Sequence, residues 1–266
     1  MREPSELGAE ARRGVRLRPM CGPRLPVYTA SLKAFGQRRG GDEGMVNANL
    51  LRVGGIAGLL CVVVMIPAYL VGSPDRPGST EQANLYFGSE LGRFVFSNGT
   101  LPIFHVFFFL IFLGALRGLL ASAEGEGGIL AAMALAGGVV FAALTSAGFA
   151  AEILYPAAAM RFGPFEPDAA FVYLSLTLST WLYHFCQVGT SVMILATSLV
   201  ALGTDALPRW LALAGFVVAL LTLLHVLVPL LAALAGLLWI AVVSALMLTG
   251  GGNRRGPGRT PSAVRR

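Results

Sequence analysis

Hydrophobic residues fall into long uninterrupted runs along this chain, and the charged residues stand between the runs. Uncharged stretches of more than 20 residues follow Arg52, Arg93, Glu126, Asp168 and Arg209. About 20 apolar residues in a helix are needed to cross a hydrocarbon layer about 30 Å thick. The pattern therefore predicts membrane-spanning α-helices rather than the core of a water-soluble globule.

The two longest runs exceed what one membrane crossing needs. The uncharged run 169–204 would be about 54 Å long as one helix, so its outer part must project or break. The run 210–253 would be about 66 Å long and must fold back, with Pro229 as the predicted hinge. The sequence thus predicts an all-α integral membrane bundle of six transmembrane helices, at about 53–72, 98–116, 128–151, 171–203, 209–228 and 230–248.

The distribution of Lys and Arg predicts the orientation of this bundle. Of the 20 Lys and Arg residues, only Arg76, Arg93 and Arg161 fall in segments that are external if the N-terminus is internal. The same segments hold six acidic residues: Asp75, Glu81, Glu90, Glu152, Glu166 and Asp168. Basic residues collect on the cytoplasmic side of membranes, so both termini are predicted to be cytoplasmic.

The two ends of the chain differ in composition from the apolar region 50–250. Residues 1–49 and 251–266 are basic and rich in Gly, Pro and Arg, which predicts two disordered cytoplasmic tails. Gly40 and Gly41 have purine-rich codons at about the distance of a ribosome-binding site from Met45. We therefore expect translation to start at Met45, and N-terminal sequencing of the native protein tests this.

Overall composition excludes several classes of protein. Hydrophobic residues make up 55% of the chain and charged residues only 13%, with a formal charge of +6. The basic residues lie in tails and short connections, so no nucleic acid is expected as a partner, whereas membrane lipid is. Cys21, Cys61 and Cys186 lie far apart, which favours neither a disulfide framework nor a CxxC site. The oligomeric state stays open.

All three histidines fall within or at the ends of predicted spans. Ionisable groups in spans are costly in hydrocarbon and usually face the bundle interior or a water-filled cavity. A stripe of polar residues at steps of three and four in the fourth predicted helix also includes a histidine, so this face should point inward. The sequence predicts an outward-facing polar pocket walled by the second to fifth helices. Its candidate residues are His105, Glu152, Thr180, His184, Gln187 and His225.

Several kinds of chemistry fit such a pocket. His105, His184 and His225 with Glu152 are candidate ligands of a transition metal, and two of the imidazoles are candidate axial ligands of a haem. No HxxxH, HExxH or CxxCH spacing accompanies them. Histidines that hydrogen-bond Ser, Thr or backbone groups to stabilise helix packing are the plainest alternative, and a proton relay or substrate gate is another.

Two segments carry a resemblance to a known group of proteins. Asn98-Gly99-Thr100-Leu101-Pro102-Ile103-Phe104-His105 enters the second predicted helix, and Trp181-Leu182-Tyr183-His184-Phe185 lies in the fourth. Together with the overall layout, from about Leu50 to Thr249, they resemble uncharacterised bacterial polytopic membrane proteins classed as a domain of unknown function. The resemblance implies a six-helix bundle in a bacterial inner membrane, with no activity, cofactor or site residue attached.

Three functional hypotheses follow from the sequence. The preferred one is a bacterial inner-membrane protein that binds or passes a small ligand or a proton at the outward pocket, and it favours a protein that is not an enzyme. The second is a metal- or haem-binding membrane enzyme or electron-transfer protein that uses the histidines. The third is a scaffold subunit in which the polar residues only stabilise helix packing.

Overall fold

The computed structural model describes residues 48–71, 81, 91–163, 169–204 and 206–250. Within these residues the chain forms helices and turns, and no strand occurs. Both predicted tails fall mostly or entirely outside the described residues, and so does most of the segment 73–93. The helices are α1 (Ala48–Val71), α2 (Leu91–Glu124), α3 (Ile129–Glu152), α4 (Leu154–Phe162), α5 (Ala169–Gly203), α6 (Arg209–Leu223) and α7 (Pro229–Gly250).

Five of these helices, α1, α2, α3, α5 and α7, are long and apolar enough to cross a membrane. Helix α6 is apolar too but has only 15 residues, which is about 22 Å of helix. The fifth helix was predicted over 209–228, but the observed helix ends at Leu223. Pro229 is the physical reason, because it lacks an N–H and its ring clashes with the carbonyl four residues earlier, at His225. Residues 224–228 form a turn instead, and Pro229 begins α7.

The turn between α2 and α3 is built from glycine and one carboxylate. Gly125, Gly127 and Gly128 all have positive φ, at 79°, 98° and 45°, which residues with a Cβ rarely adopt. The two carboxylate oxygens of Glu124 accept hydrogen bonds from the backbone N–H groups of Leu130 and Ala131, each at 2.9 Å. An anionic cap at the first turn of α3 satisfies donors that have no partner within the helix.

Helix α2 begins earlier than the sequence predicts. It is helical from Leu91 and contains one π-helical turn, Phe96–Thr100, just before Pro102. Ser97 and Asn98 in this turn are buried at 2% and 3% exposure, so polar groups enter the bundle here. Such π turns insert an extra residue into a helix and are frequent at functional sites.

The described chain begins and ends at the same end of the bundle. Leu51, Leu119, Leu207 and Met247 line one cavity of about 170 Å³. This places the start of α1, the end of α2, the α5–α6 connection and the end of α7 together, and we call it the near end. The far end is where α1 and α3 finish and α2 and α5 begin.

The backbones of α3 and α5 approach each other closely where Gly137 and Gly189 face each other. A Cβ atom at Gly189 would lie 2.5 Å from the carbonyl oxygen of Gly137, and one at Gly137 would lie 2.6 Å from that of Gly189. Small residues allow such an approach, which hydrocarbon surroundings reward through packing rather than through the hydrophobic effect.

The far end has a small core of its own. Phe94 of α2, Tyr155 of α4, and Val172 and Leu176 of α5 are all buried against one another. This cluster explains how α5 remains one helix of 35 residues, about 52 Å long, rather than breaking. The sequence predicted that this run must either break or project beyond the membrane. Since α5 does not break, projection is the outcome that remains.

Candidate functional site

Two of the three histidines form a hydrogen-bonded pair. The Nδ1 atoms of His184 in α5 and His225 in the α6–α7 turn are 2.8 Å apart, and the ring planes cross at 68°. His225 is 7% exposed, and His184 is half-buried. Because α6 ends before it reaches Pro229, His225 lies in the turn rather than in a helix, where its side chain meets α5.

This contact restricts the protonation states of the two rings. A neutral imidazole carries one N–H, so one ring must donate from Nδ1 and the other must accept at Nδ1 and carry its proton on Nε2. The neutral pair can gain one proton and keep this hydrogen bond. A second added proton would set two Nδ1–H groups against each other unless the rings move apart. The pair therefore stores at most one added proton in this geometry.

A second polar pair lies beside the first on α5. Tyr183 donates a hydrogen bond from its hydroxyl to the Oε2 atom of Glu152, the last residue of α3, over 2.6 Å. That length is typical of a hydroxyl bonded to an ionised carboxylate. Glu152 is 4% exposed. One turn of α5 thus joins a carboxylate of α3 on one side and an imidazole of the α6–α7 turn on the other.

We call these four residues, Glu152, Tyr183, His184 and His225, the far-end polar site. His184 stands 19 residues before the end of α5 at Gly203, which puts it about 28 Å from the near end. With a hydrocarbon layer of about 30 Å, the site lies toward the far side of the membrane-crossing part.

His105 does not belong to this site. Its Nδ1 atom lies 2.9 Å from the carbonyl oxygen of Cys61 in α1 and 3.3 Å from the Cys61 thiol, and its ring packs against Phe109 and Phe141. A carbonyl only accepts, so Nδ1 of His105 carries the proton and donates it. This histidine, 1% exposed, joins α1 to α2 within the packed interior.

The remaining predicted pocket residues have different environments. Thr180 donates its hydroxyl hydrogen bond to Leu176 of its own helix at 2.9 Å, which needs no partner from another helix. The Oε1 atom of Gln187 and the hydroxyl of Thr145 are buried without a hydrogen-bond partner among the described residues. An amide oxygen and a hydroxyl in the far half of the bundle are thus left with unused hydrogen-bonding capacity.

The structure separates the candidate metal ligands and brings two of the candidate haem ligands into contact. Within the described residues, no group of three or more His, Cys, Asp or Glu side chains is arranged to hold a metal ion. The candidate ligands His105, His184, His225 and Glu152 thus do not form one such group in the structure. The 2.8 Å contact of His184 with His225 also leaves no space for a haem between them, because axial ligands lie on opposite faces of the porphyrin.

Sequence reasoning missed Tyr183 and Cys61 as members of polar contacts. Tyr183 is not among the predicted pocket residues, yet it is half-buried and bonded to Glu152. Its position one residue before His184 in the polar stripe is the signal that was available. The carbonyl of Cys61 gives no such signal, because a backbone group has no sequence pattern.

Comparison with known proteins yields no relative. No protein-family model matches the chain, and neither a curated protein nor a solved structure is detectably similar to it. The resemblance to bacterial polytopic membrane proteins therefore stays a prediction, and the functional argument depends on the geometry of the far-end polar site.

Proposed function

We propose that the chain is a multi-pass protein of a bacterial cytoplasmic membrane, crossing it six times with both termini in the cytoplasm. Helix α6 makes a crossing together with its turn, since the helix covers about 22 Å and the apolar turn residues 224–228 extend it. The near-end grouping of Leu51 in α1 and Met247 in α7 supports an even number of crossings. The scarcity of Lys and Arg in the segments that this topology makes external supports the orientation.

Within this protein, the far-end polar site binds or passes a proton, or a small ligand that carries one. The direct contact between the imidazoles of His184 and His225 is the observation that carries the proposal. Imidazole gains and loses protons near neutral pH. Once one proton is added to the pair, the cationic ring can pass its Nδ1 proton along the hydrogen bond to the neutral ring, and each ring keeps a proton on Nε2. The partner of each ring in the pair is itself able to bind a proton, whereas the partner of His105 is a backbone carbonyl.

The site lies in the outward half under the proposed topology, so its proton comes from the external side. Glu152 and Tyr183 add a carboxylate and a hydroxyl one residue from His184. Ionisable groups at this depth are costly to keep and commonly mark proton or substrate sites. A role in proton binding accounts for that cost.

Proton counting tests the proposal. Purified protein in weakly buffered detergent solution is titrated from about pH 8 to about pH 4, which brackets the ordinary range of histidine. The pair takes up one proton as a unit, so the wild type and His225→Gln should bind equal numbers of protons. The double variant His184→Gln/His225→Gln should bind one fewer.

His105→Gln is the matched control, because His105 is bonded to a backbone carbonyl instead of to another imidazole. If wild type binds one proton more than His225→Gln, the two rings titrate independently and the proposal is wrong. If the double variant binds as many protons as wild type, the pair takes up none and the proposal fails too.

A further inference from the structure

The α6–α7 turn presents an apolar surface around His225. Leu224, Val226, Leu227 and Val228 are 41%, 57%, 74% and 36% exposed, whereas His225 is 7% exposed. A water-facing turn between helices is normally polar, with Gly, Asn, Asp or Ser. This turn has the composition of a surface that meets hydrocarbon.

Three of the five backbone N–H groups in the turn, residues 224–228, have partners within the protein. The N–H of Leu224 bonds to the carbonyl of Leu220 at 3.0 Å, that of His225 to Thr222 at 3.2 Å, and that of Leu227 to Leu224 at 2.9 Å. Backbone groups at membrane depth need partners within the protein, because lipid offers none. The exposed apolar side chains of the turn thus suit contact with lipid, and the imidazole pair lies behind them.

The neighbouring surface of α5 is aromatic. Trp181 and Phe185 flank His184 and are 52% and 56% exposed. The Trp181 ring lies 5.5 Å from the His184 ring and 6.1 Å from the Phe185 ring, measured between centroids. Exposed aromatic faces beside a half-buried imidazole suit a planar ring that stacks and hydrogen-bonds at once.

The imidazole pair also has the donor and acceptor that such a ring needs. Neither Nε2 atom of His184 or His225 bonds another residue in the described chain. When the two Nδ1 atoms share one proton, one Nε2 carries a hydrogen and the other has a lone pair. The neutral pair thus offers one donor and one acceptor to a ligand.

We infer that the far-end polar site receives its ligand from the bilayer, and that the ligand is a planar, lipid-soluble molecule with carbonyl or hydroxyl oxygens, of the quinone and quinol class. A quinone carbonyl accepts the free N–H, and a quinol hydroxyl donates to the free lone pair. The inference rests on the proposed function, because it assigns the same pair its ligand; it concerns binding and includes no redox step.

The first test asks whether the site opens to lipid. Trp210→Phe/Trp239→Phe leaves Trp181 as the single tryptophan, and it is placed in nanodiscs of phosphatidylcholine brominated on the acyl chain. We expect the bromines to quench Trp181 fluorescence more strongly than aqueous acrylamide does. Stronger quenching by acrylamide would show that the site opens to water and would overturn the inference.

The second test uses decylubiquinone as the probe, titrated into nanodiscs of unbrominated lipid. Quinones quench tryptophan, and a bound quinone adds a saturable part to the linear collisional quenching. In the protein with Trp181 alone, we expect this saturable part, and we expect it to weaken tenfold or more in His184→Gln and in His225→Gln. His105→Gln should retain it.

Linear quenching alone, or equal saturable quenching in the His184 and His225 variants, contradicts the inference. Failure of the inference is distinguishable from failure of the proposed function, because proton counting uses no quinone. If the pair still binds one proton as a unit, the proton site stands and only its ligand class is wrong.

Discussion

Substitution of Gly189 by alanine tests the packing that positions α5. This helix carries Tyr183 and His184 of the far-end polar site. The new Cβ would lie 2.5 Å from the carbonyl oxygen of Gly137 and 2.7 Å from the amide nitrogen of Phe141. Both are backbone atoms, so no side-chain rotation relieves the clash. The helices must separate by about 0.9 Å to reach the 3.4 Å of ordinary contact.

A gap of that size forfeits between about a quarter and a half of each dispersion contact it opens. Overpacking of this kind costs about 1–3 kcal/mol. The assay is unfolding in mixed micelles of rising SDS content, followed by circular dichroism. Gly114→Ala in α2 is the control, because its Cβ would meet no atom within 4 Å. That variant should be neutral or gain up to about 1 kcal/mol from helix propensity.

The double variant Gly137→Ala/Gly189→Ala sharpens the test. Once one Cβ has separated the helices, the second finds part of its space already made, so the two costs should add to less than their sum. If Gly189→Ala unfolds at the same SDS content as Gly114→Ala, the close contact between α3 and α5 does not exist as described.

Two further substitutions test single hydrogen bonds in the same assay. Tyr183→Phe removes the donor to the buried carboxylate of Glu152 and should cost about 1–2 kcal/mol, whereas Tyr173→Phe should cost much less; equal losses would contradict the contact. Ser191→Ala removes a bond of 2.8 Å to an α6 carbonyl and should cost about 0.6 kcal/mol, while Ser198→Ala, whose hydroxyl bonds its own helix, should be near neutral.

Hydropathy predicted the helices well because the length of an apolar run and the thickness of a bilayer compare directly. It failed where a helix end has no polar signal. Residues 224–228 are apolar except for His225, so the run continues across the end of α6 at Leu223. The break follows from the backbone chemistry of Pro229, which acts four residues upstream and so releases His225 from the helix.

The polar stripe of α5 marked an inward face that includes His184, because residues at steps of three and four share one face of a helix. Periodicity describes one helix at a time. It could not identify the partner of each side chain. The pair joins positions 41 residues apart, and it depends on where the α6–α7 turn stops relative to α5. For the same reason His105 was grouped with the other histidines, although its partner is a backbone carbonyl of α1.

The shared proton between His184 and His225 is the central claim, and ¹⁵N NMR of protein labelled in its histidine side chains tests it most directly. We expect one hydrogen-bond coupling between two imidazole nitrogens, with its loss in His225→Gln and its persistence in His105→Gln. Three imidazoles without any coupling between rings, in wild type that is folded, would contradict the pair and the function proposed for it.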